Sequence, residues 1–172
     1  GLRSFSVSGR VKEPGVKLAP AGVTVRELID DYCGGMADGH EFKAYLPGGA
    51  SGGVLPASMG DIELDFGGEL ARQGAFVGSH AVVVFSQADS IRDVTLNLLK
   101  FFKHESCGKC TPCREGTEKM VTLLRDPGAP RETALRDLET VMRDSSICGL
   151  GQAAPNPMRS VLRWFAHEVA ER

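Results

Sequence analysis

The stretch that decides the fold is residues 104–116, HESCGKCTPCREG, in which Cys107, Cys110 and Cys113 follow one another at intervals of three. A fourth cysteine, Cys148, lies far downstream in the sequence SICGLG. Three cysteines at this spacing with a remote fourth are typical of a thiolate site that holds an iron–sulfur cubane. The sequence therefore predicts a soft-metal site, and the surrounding elements have to bring Cys148 to the other three cysteines.

Helical patterns lie on both sides of this stretch. Before it, Ser90 begins a pattern that resembles a capping box, and apolar residues then recur at helical spacing up to Lys103. After it, a helix is predicted to open at Thr111-Pro112, with proline at its first position where the missing N–H costs nothing. The sequence DPGAP, residues 126–130, is predicted to stop this helix. Two more helices are predicted, from about 131 to 143 and from Asn156-Pro157 onward, which indicates a four-helix bundle with short loops.

The bundle topology links the fourth cysteine to the other three. In an up-and-down bundle, the connection after the first helix and the connection after the third lie at the same end. Cys107, Cys110 and Cys113 are predicted in the first connection and Cys148 in the third, so the four thiolates are expected to meet. The N-terminus of the second helix would present amide groups to the sulfurs. Basic side chains close in sequence would help to offset the negative charge. These are Lys103, His104, Lys109, Arg114 and Lys119.

The first half of the chain shows strand patterns instead. Alternating or continuous apolar runs predict strands at residues 3 to about 12, 16–19, 43–46 and 81–85, the last buried on both faces. Glu13-Pro14-Gly15 predicts a turn, and a Thr24/Glu27 capping box predicts a helix that ends at Gly34-Gly35. Residues 61–66 fit either a strand or an extended loop. We therefore expect an α+β chain, with a β-grasp-like domain over residues 1–88 and a helical domain over residues 89–172.

Composition limits the kind of protein. The 172 residues carry 20 Lys and Arg against 22 Asp and Glu, with no block of like charge, which argues against nucleic-acid binding. No apolar run is long enough to insert into a membrane and no signal peptide is evident. The five cysteines follow no secreted disulfide pattern. These features predict a cytoplasmic protein, and a chain that starts with Gly1 suggests a fragment or a processed piece.

The cysteines admit other interpretations. Structural zinc is the main alternative for the four-cysteine pattern, although zinc sites usually show paired C-x-x-C knuckles that this chain lacks. Cys33 has no sequence partner and is predicted to be a small buried hydrophobe. The glycine-rich loop over residues 48–53 lacks the Gly-Lys-Ser/Thr of a phosphate cradle and is predicted to be a turn.

The two cysteine stretches together resemble the cluster-binding signature of the family of NADH-oxidising flavoprotein subunits found in respiratory complex I and its soluble relatives. The resemblance extends to the N-terminal half, which is similar to the β-grasp domain of the soluble-ligand-binding type. It implies a [4Fe–4S] cluster on Cys107, Cys110, Cys113 and Cys148. It also implies FMN and NAD in the full-length subunit, held mostly by a domain with a glycine-rich flavin loop. That loop is not present in these 172 residues, so no FMN-binding, NAD-binding or catalytic residue is predicted here.

The resemblance predicts an electron-transfer module that relays single electrons between FMN and other iron–sulfur centres, within a multisubunit NAD-dependent oxidoreductase. The implied partners are a small [2Fe–2S] subunit and a large catalytic subunit. Residues 149–157, GLGQAAPNP, are most similar to the beta subunit of NAD-dependent formate dehydrogenase. A complex I subunit, an NAD-linked hydrogenase subunit and a zinc-stapled docking domain are the alternatives.

Overall fold

The computed structural model describes residues 1–126 and 131–170, which fold as two units, Gly1–Asp89 and Ser90–Arg172. The first unit is built on a sheet and the second on helices. This combination confirms the α+β class predicted from the sequence.

The sheet of the first unit has five strands in the order β2-β1-β5-β3-β4. The central pair, β1 and β5, is parallel, and the other neighbours are antiparallel. This order, with a parallel central pair between two antiparallel arms, is that of a β-grasp sheet. The strands are β1 Leu2–Gly9, β2 Gly15–Pro20, β3 Phe42–Leu46, β4 Leu55–Pro56 and β5 Ala81–Ser86.

The strand predicted to be buried on both faces is buried on one. In β5, Val82 and Val84 are fully buried, whereas Val83 and Phe85 between them keep partial exposure. The β-branched run is therefore a central strand with one well-covered face. Residues 61–66 form no strand, and Glu63 makes a single isolated bridge to Thr24, at the start of the first helix.

Short helical segments connect the strands. The capping box at Thr24 is present in both directions, since its hydroxyl accepts from the Glu27 N–H and the Glu27 carboxylate accepts from the Thr24 N–H. The helix α1, Val25–Glu27, then widens into a π-helical turn over Leu28–Tyr32. A second helix, α2, spans Gly68–Arg72 and was not predicted.

In its described residues, the second unit contains three long helices followed by three short ones. They are α3 Ile91–Glu105, α4 Thr111–Arg125, α5 Arg131–Ser145, α6 Gly149–Ala153, α7 Asn156–Trp164 and α8 Ala166–Ala170. Their core includes the fully buried side chains of Ile91, Leu99, Met120, Leu124, Leu135 and Met142. Most of the predicted stop over residues 126–130 lies outside the described residues.

The predicted fourth helix is real but interrupted. It begins at Asn156, as expected, and breaks at Phe165, whose backbone leaves the helical region at φ −132° and ψ 31°. The short helix α6 before it was not predicted, because two of its five residues are glycines, which are poor helix formers. In the part of the chain that the structure describes, no helix is both long and apolar enough to cross a membrane.

Candidate metal centre

The four cysteines of the sequence signature lie around one cavity of about 140 Å³ in the helical unit. Cys113 is buried, Cys110 is half-buried, and Cys107 and Cys148 are exposed at the rim. The remaining side chains of the wall are Glu105, Ser106, Lys109 and Leu150. The predicted meeting of four thiols is therefore present in the structure, while their role as ligands stays a prediction.

The fifth cysteine lies elsewhere. Cys33 belongs to the sheet unit, where it is fully buried at the end of the π-helical turn, and burial raises the pKa of its thiol. A thiol that is harder to ionise is a poorer metal ligand. This environment agrees with the interpretation of Cys33 as a small hydrophobe.

Two of the four cysteines lie at the N-termini of helices. Cys110 is the N-cap of α4, and Cys148 is the N-cap of α6. Cys113 was predicted in a loop but lies in the first turn of α4, and Pro112 occupies the second helical position rather than the first. Gly108 has φ +73°, a left-handed conformation that lets the chain turn between Cys107 and Cys110. Two helix N-termini therefore point their unsatisfied N–H groups toward the site.

Backbone amides favour an anionic sulfur at Cys110. The Ile147 N–H, and then the Cys113 N–H, lower the pKa of the Cys110 thiol. The first donor precedes α6 and the second belongs to α4, so both cysteine segments stabilise the same thiolate. The Ser146 hydroxyl contributes in the same direction, although it makes no hydrogen bond of good geometry.

Ser106 connects the third cysteine of the run to Gly108. Its Oγ lies 3.3 Å from the Cys113 Sγ and accepts from the Gly108 N–H, also at 3.3 Å. With the Gly108 N–H directed at its oxygen, the hydroxyl proton is available to the sulfur. The sequence did not single out this residue, because a serine beside a cysteine carries no pattern of its own.

Gly151 of α6 packs closely against Ser146 and against Cys113, one of the residues that line the cavity. A Cβ on Gly151 would come within 2.6 Å of Ser146 Oγ and 2.9 Å of Cys113 Cβ. Only glycine therefore fits at this position without displacing one of its neighbours. Ser146 is itself 7% exposed. Neither Gly151 nor Ser146 was identified as a site residue from the sequence.

Fewer of the predicted basic side chains line the cavity than the sequence suggested. Of the five basic residues, Lys109 lines the cavity. Lys103 pairs with Glu118, and Arg114 pairs with Glu115 while donating to the Gly108 carbonyl at 2.7 Å. Arg114 thus braces the cysteine loop, and backbone amides at two helix starts provide much of the favourable electrostatics.

The cavity fits a group of several atoms. Its volume far exceeds the roughly 10–15 Å³ that one water molecule needs. Within residues 1–126 and 131–170, no three His, Cys, Asp or Glu side chains form a group that could hold a single metal ion. Four thiols around a shared space, with amide and hydroxyl donors directed at sulfur, provide the donor set that an iron–sulfur cluster requires.

Comparison with known proteins agrees with this chemistry. Residues 93–172 match the NADH-ubiquinone oxidoreductase-F iron-sulfur binding region, and residues 4–55 match the SLBB domain. The chain is 38% identical to the NADH-quinone oxidoreductase F subunit of Streptomyces coelicolor, over 99% of this chain and 39% of the relative. It is 36% identical to the HndC subunit of the NADP-reducing hydrogenase of Solidesulfovibrio fructosivorans, over 98% of this chain and 35% of the relative.

One solved structure is similar to this chain over nearly its whole length. An NAD+-reducing [NiFe]-hydrogenase in the H2-reduced state superposes with a TM-score of 0.84 and 30% identity, covering 99% of this chain and 29% of that one. The chain therefore spans about two fifths or less of the length of these relatives. Its iron–sulfur binding region identifies the cofactor as a [4Fe–4S] cluster. The chain thus joins a segment that matches the SLBB domain to a segment that matches the NADH-ubiquinone oxidoreductase-F iron-sulfur binding region, and it is similar over nearly its whole length to part of these oxidoreductase and hydrogenase subunits.

Proposed function

We propose that this chain relays single electrons through one [4Fe–4S] cluster ligated by Cys107, Cys110, Cys113 and Cys148. The observation that carries the proposal is that these four thiols line one cavity, within a region that matches the iron–sulfur binding model of the family. The electrons would pass between FMN, bound elsewhere in a full-length subunit, and other iron–sulfur centres. When bound, the cluster supplies a centre that takes up and releases one electron at a time.

The shape of the site supports a cluster over structural zinc. A four-cysteine zinc site gathers its sulfurs at about 2.3 Å from one point. All four cysteines instead share a cavity of about 140 Å³, which has room for a group of several atoms. No observation favours the zinc-stapled docking domain, and it becomes one outcome of the test below.

The exposure of the cysteines supports a role in electron transfer. Cys107 and Cys148 lie at the exposed rim, whereas Cys113 lies at the buried wall. An electron donor or acceptor can therefore approach the cluster from the rim, while the amides and the Ser106 hydroxyl at the wall stabilise negative charge on sulfur. The residues of this chain thus hold and tune the centre, and no acid–base step is assigned to them.

The relatives support a proposal about the wider assembly. We propose that the chain works within a multisubunit NAD-dependent oxidoreductase, beside a small [2Fe–2S] subunit and a large catalytic subunit, in the cytoplasm. The relatives described above are subunits of NADH-quinone oxidoreductase and of hydrogenase. Formate dehydrogenase as the parent enzyme rests on the resemblance of residues 149–157 and stays a prediction.

Alanine variants of the five cysteines test the ligand set. Each of Cys107→Ala, Cys110→Ala, Cys113→Ala and Cys148→Ala should fail to retain about four iron and four sulfide per chain after anaerobic reconstitution. Cys33→Ala is the matched control and should retain the wild-type content, because Cys33 lies in the other unit. Full cluster content in any of the four variants, or one equivalent of zinc in the wild-type chain, would overturn the assignment.

A further inference from the structure

Cys113 is the most buried of the four cysteines that line the cavity. It is 5% exposed, whereas Cys107 and Cys148 are exposed at the rim. Water can donate hydrogen bonds to the two rim sulfurs, but it has little access to the sulfur of Cys113. A sulfur that carries negative charge at a buried position therefore needs a donor from the protein itself.

The hydroxyl of Ser106 lies beside this sulfur. Its Oγ is 3.3 Å from the Cys113 Sγ, and both residues line the four-cysteine cavity. The Gly108 N–H donates to the same oxygen, also at 3.3 Å. Because this N–H occupies a lone pair of the oxygen, the proton of the hydroxyl is free to point at the sulfur.

Metal ligation fixes the direction of this contact. In the absence of a metal, either the Ser106 oxygen or the Cys113 sulfur can be the donor. A cysteine that ligates a metal is a thiolate and has no proton to donate. The contact then has one direction, from the Ser106 hydroxyl to the Cys113 sulfur.

The two partners are held by the ends of two helices and the turn between them. Ser106 is the C-cap of α3, and Cys113 lies in the first turn of α4. Gly108, at φ +73°, turns the chain between these helices, and Arg114 of α4 donates to its carbonyl at 2.7 Å. The hydroxyl and the sulfur therefore belong to one hydrogen-bonded turn of the backbone.

We propose that the Ser106 hydroxyl donates a hydrogen bond to the sulfur of Cys113 when that cysteine ligates the cluster, and that this bond raises the reduction potential of the cluster. The proposal rests on the proposed function, which makes Cys113 a ligand. Reduction moves one electron from the reductant to the cluster and leaves the proton on Ser106. The added negative charge strengthens a hydrogen bond to a ligand sulfur, so the bond stabilises the reduced state more than the oxidised state. Ser106 acts through Cys113 and is a positioning residue.

The test compares Ser106→Ala with Ser145→Ala in the anaerobically reconstituted chain. Ser145 is an exposed serine at the end of α5 and provides the matched control. Loss of the hydrogen bond should change the equilibrium constant for reduction by about tenfold, which for one electron is a shift of about 60 mV to lower potential. The measurement is a redox titration with dithionite, followed by electron paramagnetic resonance (EPR).

Two further readouts separate a hydrogen bond from a merely structural effect. Ser106→Thr keeps a hydroxyl at an extended backbone position that threonine accepts, so it should retain a potential close to that of the wild type. An exchangeable proton coupled to the reduced cluster, detected by electron–nuclear double resonance before and after transfer to D2O, should be lost in Ser106→Ala. The same proton should be kept in Ser106→Thr and in Ser145→Ala.

Each outcome decides the proposal. An unchanged potential in Ser106→Ala with full cluster content overturns it, and so does a threonine variant whose potential falls as far as that of the alanine variant. Ser106→Gly also lacks the hydroxyl and serves as the second variant if Ser106→Ala binds less iron. Loss of the cluster from both hydroxyl-free variants overturns the proposal, since one tuning bond is not needed for assembly. A wild-type chain that takes up no four-iron cluster would instead overturn the proposed function.

Discussion

At the residue scale, the packing around Cys113, which lines the four-cysteine cavity, depends on the small size of Gly151. Gly151 lies where α6 approaches Cys113 and Ser146, and its lack of a Cβ leaves room for both side chains. Gly149, in the same short helix, has nothing within 4 Å of the position a Cβ would take. The two glycines are therefore chemically equal but differ in what surrounds them.

This difference gives a prediction for two single substitutions. Gly151→Ala should reduce the iron retained after reconstitution severalfold, because the new methyl group must displace Ser146 or the Cys113 side chain by several tenths of an ångström. Gly149→Ala should retain the wild-type iron content and gain some helix propensity. Iron and sulfide analysis of the two variants side by side checks this, and equal retention would show that the close contact is unimportant.

In the sheet unit, the carboxylate of Asp89 joins the side chain of Arg10 to the end of β5 at Ser86. Asp89 accepts from Arg10 Nε and Nη2 at 3.1 and 2.8 Å and from the Ser86 N–H at 2.8 Å. The hydrogen bond from Arg10 is the main reason that the pKa of Asp89 falls to about 2. The folded unit therefore favours the ionised form of this carboxyl group.

We expect Asp89→Asn to lower the free energy of unfolding of this unit by about 1 kcal/mol at pH 7, since Arg10 is partly exposed and solvent screens the pair. The folded pKa lies below the ordinary value of 3.8, so the stabilisation is fully present above about pH 5 and is lost as the pH falls toward 2. Urea unfolding followed by the NMR signals of β5 should show the gap between wild type and variant narrowing from pH 5 to pH 3. A gap that is constant over this range would contradict the role of the carboxylate charge.

At the element scale, α4 and α5 of the second unit pack closely at a point where α4 carries a glycine. Gly116 lies in the middle of α4 and faces Met142 of α5, and a Cβ on Gly116 would meet Met142 Sδ at 2.5 Å and Cγ at 2.6 Å. Met142 is fully buried and has little space to move. The glycine therefore sets how closely α4 and α5 approach, and with them Cys113 and the segment before Cys148.

Gly116→Ala tests this contact, because two opposing effects of known size meet there. Alanine gains about 1 kcal/mol of helix propensity over glycine, while overpacking a core costs about 1–3 kcal/mol. We expect a net loss of stability of about 1 kcal/mol in the helical unit, measured by denaturant unfolding with the fluorescence of Trp164, the single tryptophan. Lys119→Ala, at an exposed position of the same helix, should change stability by less than about 0.5 kcal/mol. A Gly116→Ala chain as stable as wild type would show that Met142 adapts.

The long elements could be predicted from the sequence because each carries its own signal. Ser90 caps α3 through its side chain, as the pattern at Ser90 and Asp93 predicted. The helix α6 could not be predicted in this way, since Gly149 and Gly151 lower its propensity and only packing against the cysteine segment explains its presence. The same holds for the π-helical turn over Leu28–Tyr32, which no local pattern marks.

At the scale of the whole molecule, the placement of the cysteines separates what sequence can and cannot provide. Spacing identified Cys107, Cys110 and Cys113, and bundle connectivity brought Cys148 to them and left Cys33 apart. A second group, made up of Ser106, Ser146 and Gly151, could not be found in this way, because the importance of these residues depends on distances between segments of the folded chain. The four cysteines that line the cavity could thus be predicted from the sequence, whereas the residues packed around them could not.

The central claim is that four cysteines hold one [4Fe–4S] cluster that carries one electron. The most direct test is a reductive titration of the anaerobically reconstituted chain, followed by EPR and by iron analysis of the same sample. We predict about four iron per chain, uptake of one electron and one unpaired spin per chain in the reduced state. Two results would contradict the account: a protein without an EPR signal that contains one zinc, or a chain that binds only about two iron atoms for each electron it takes up.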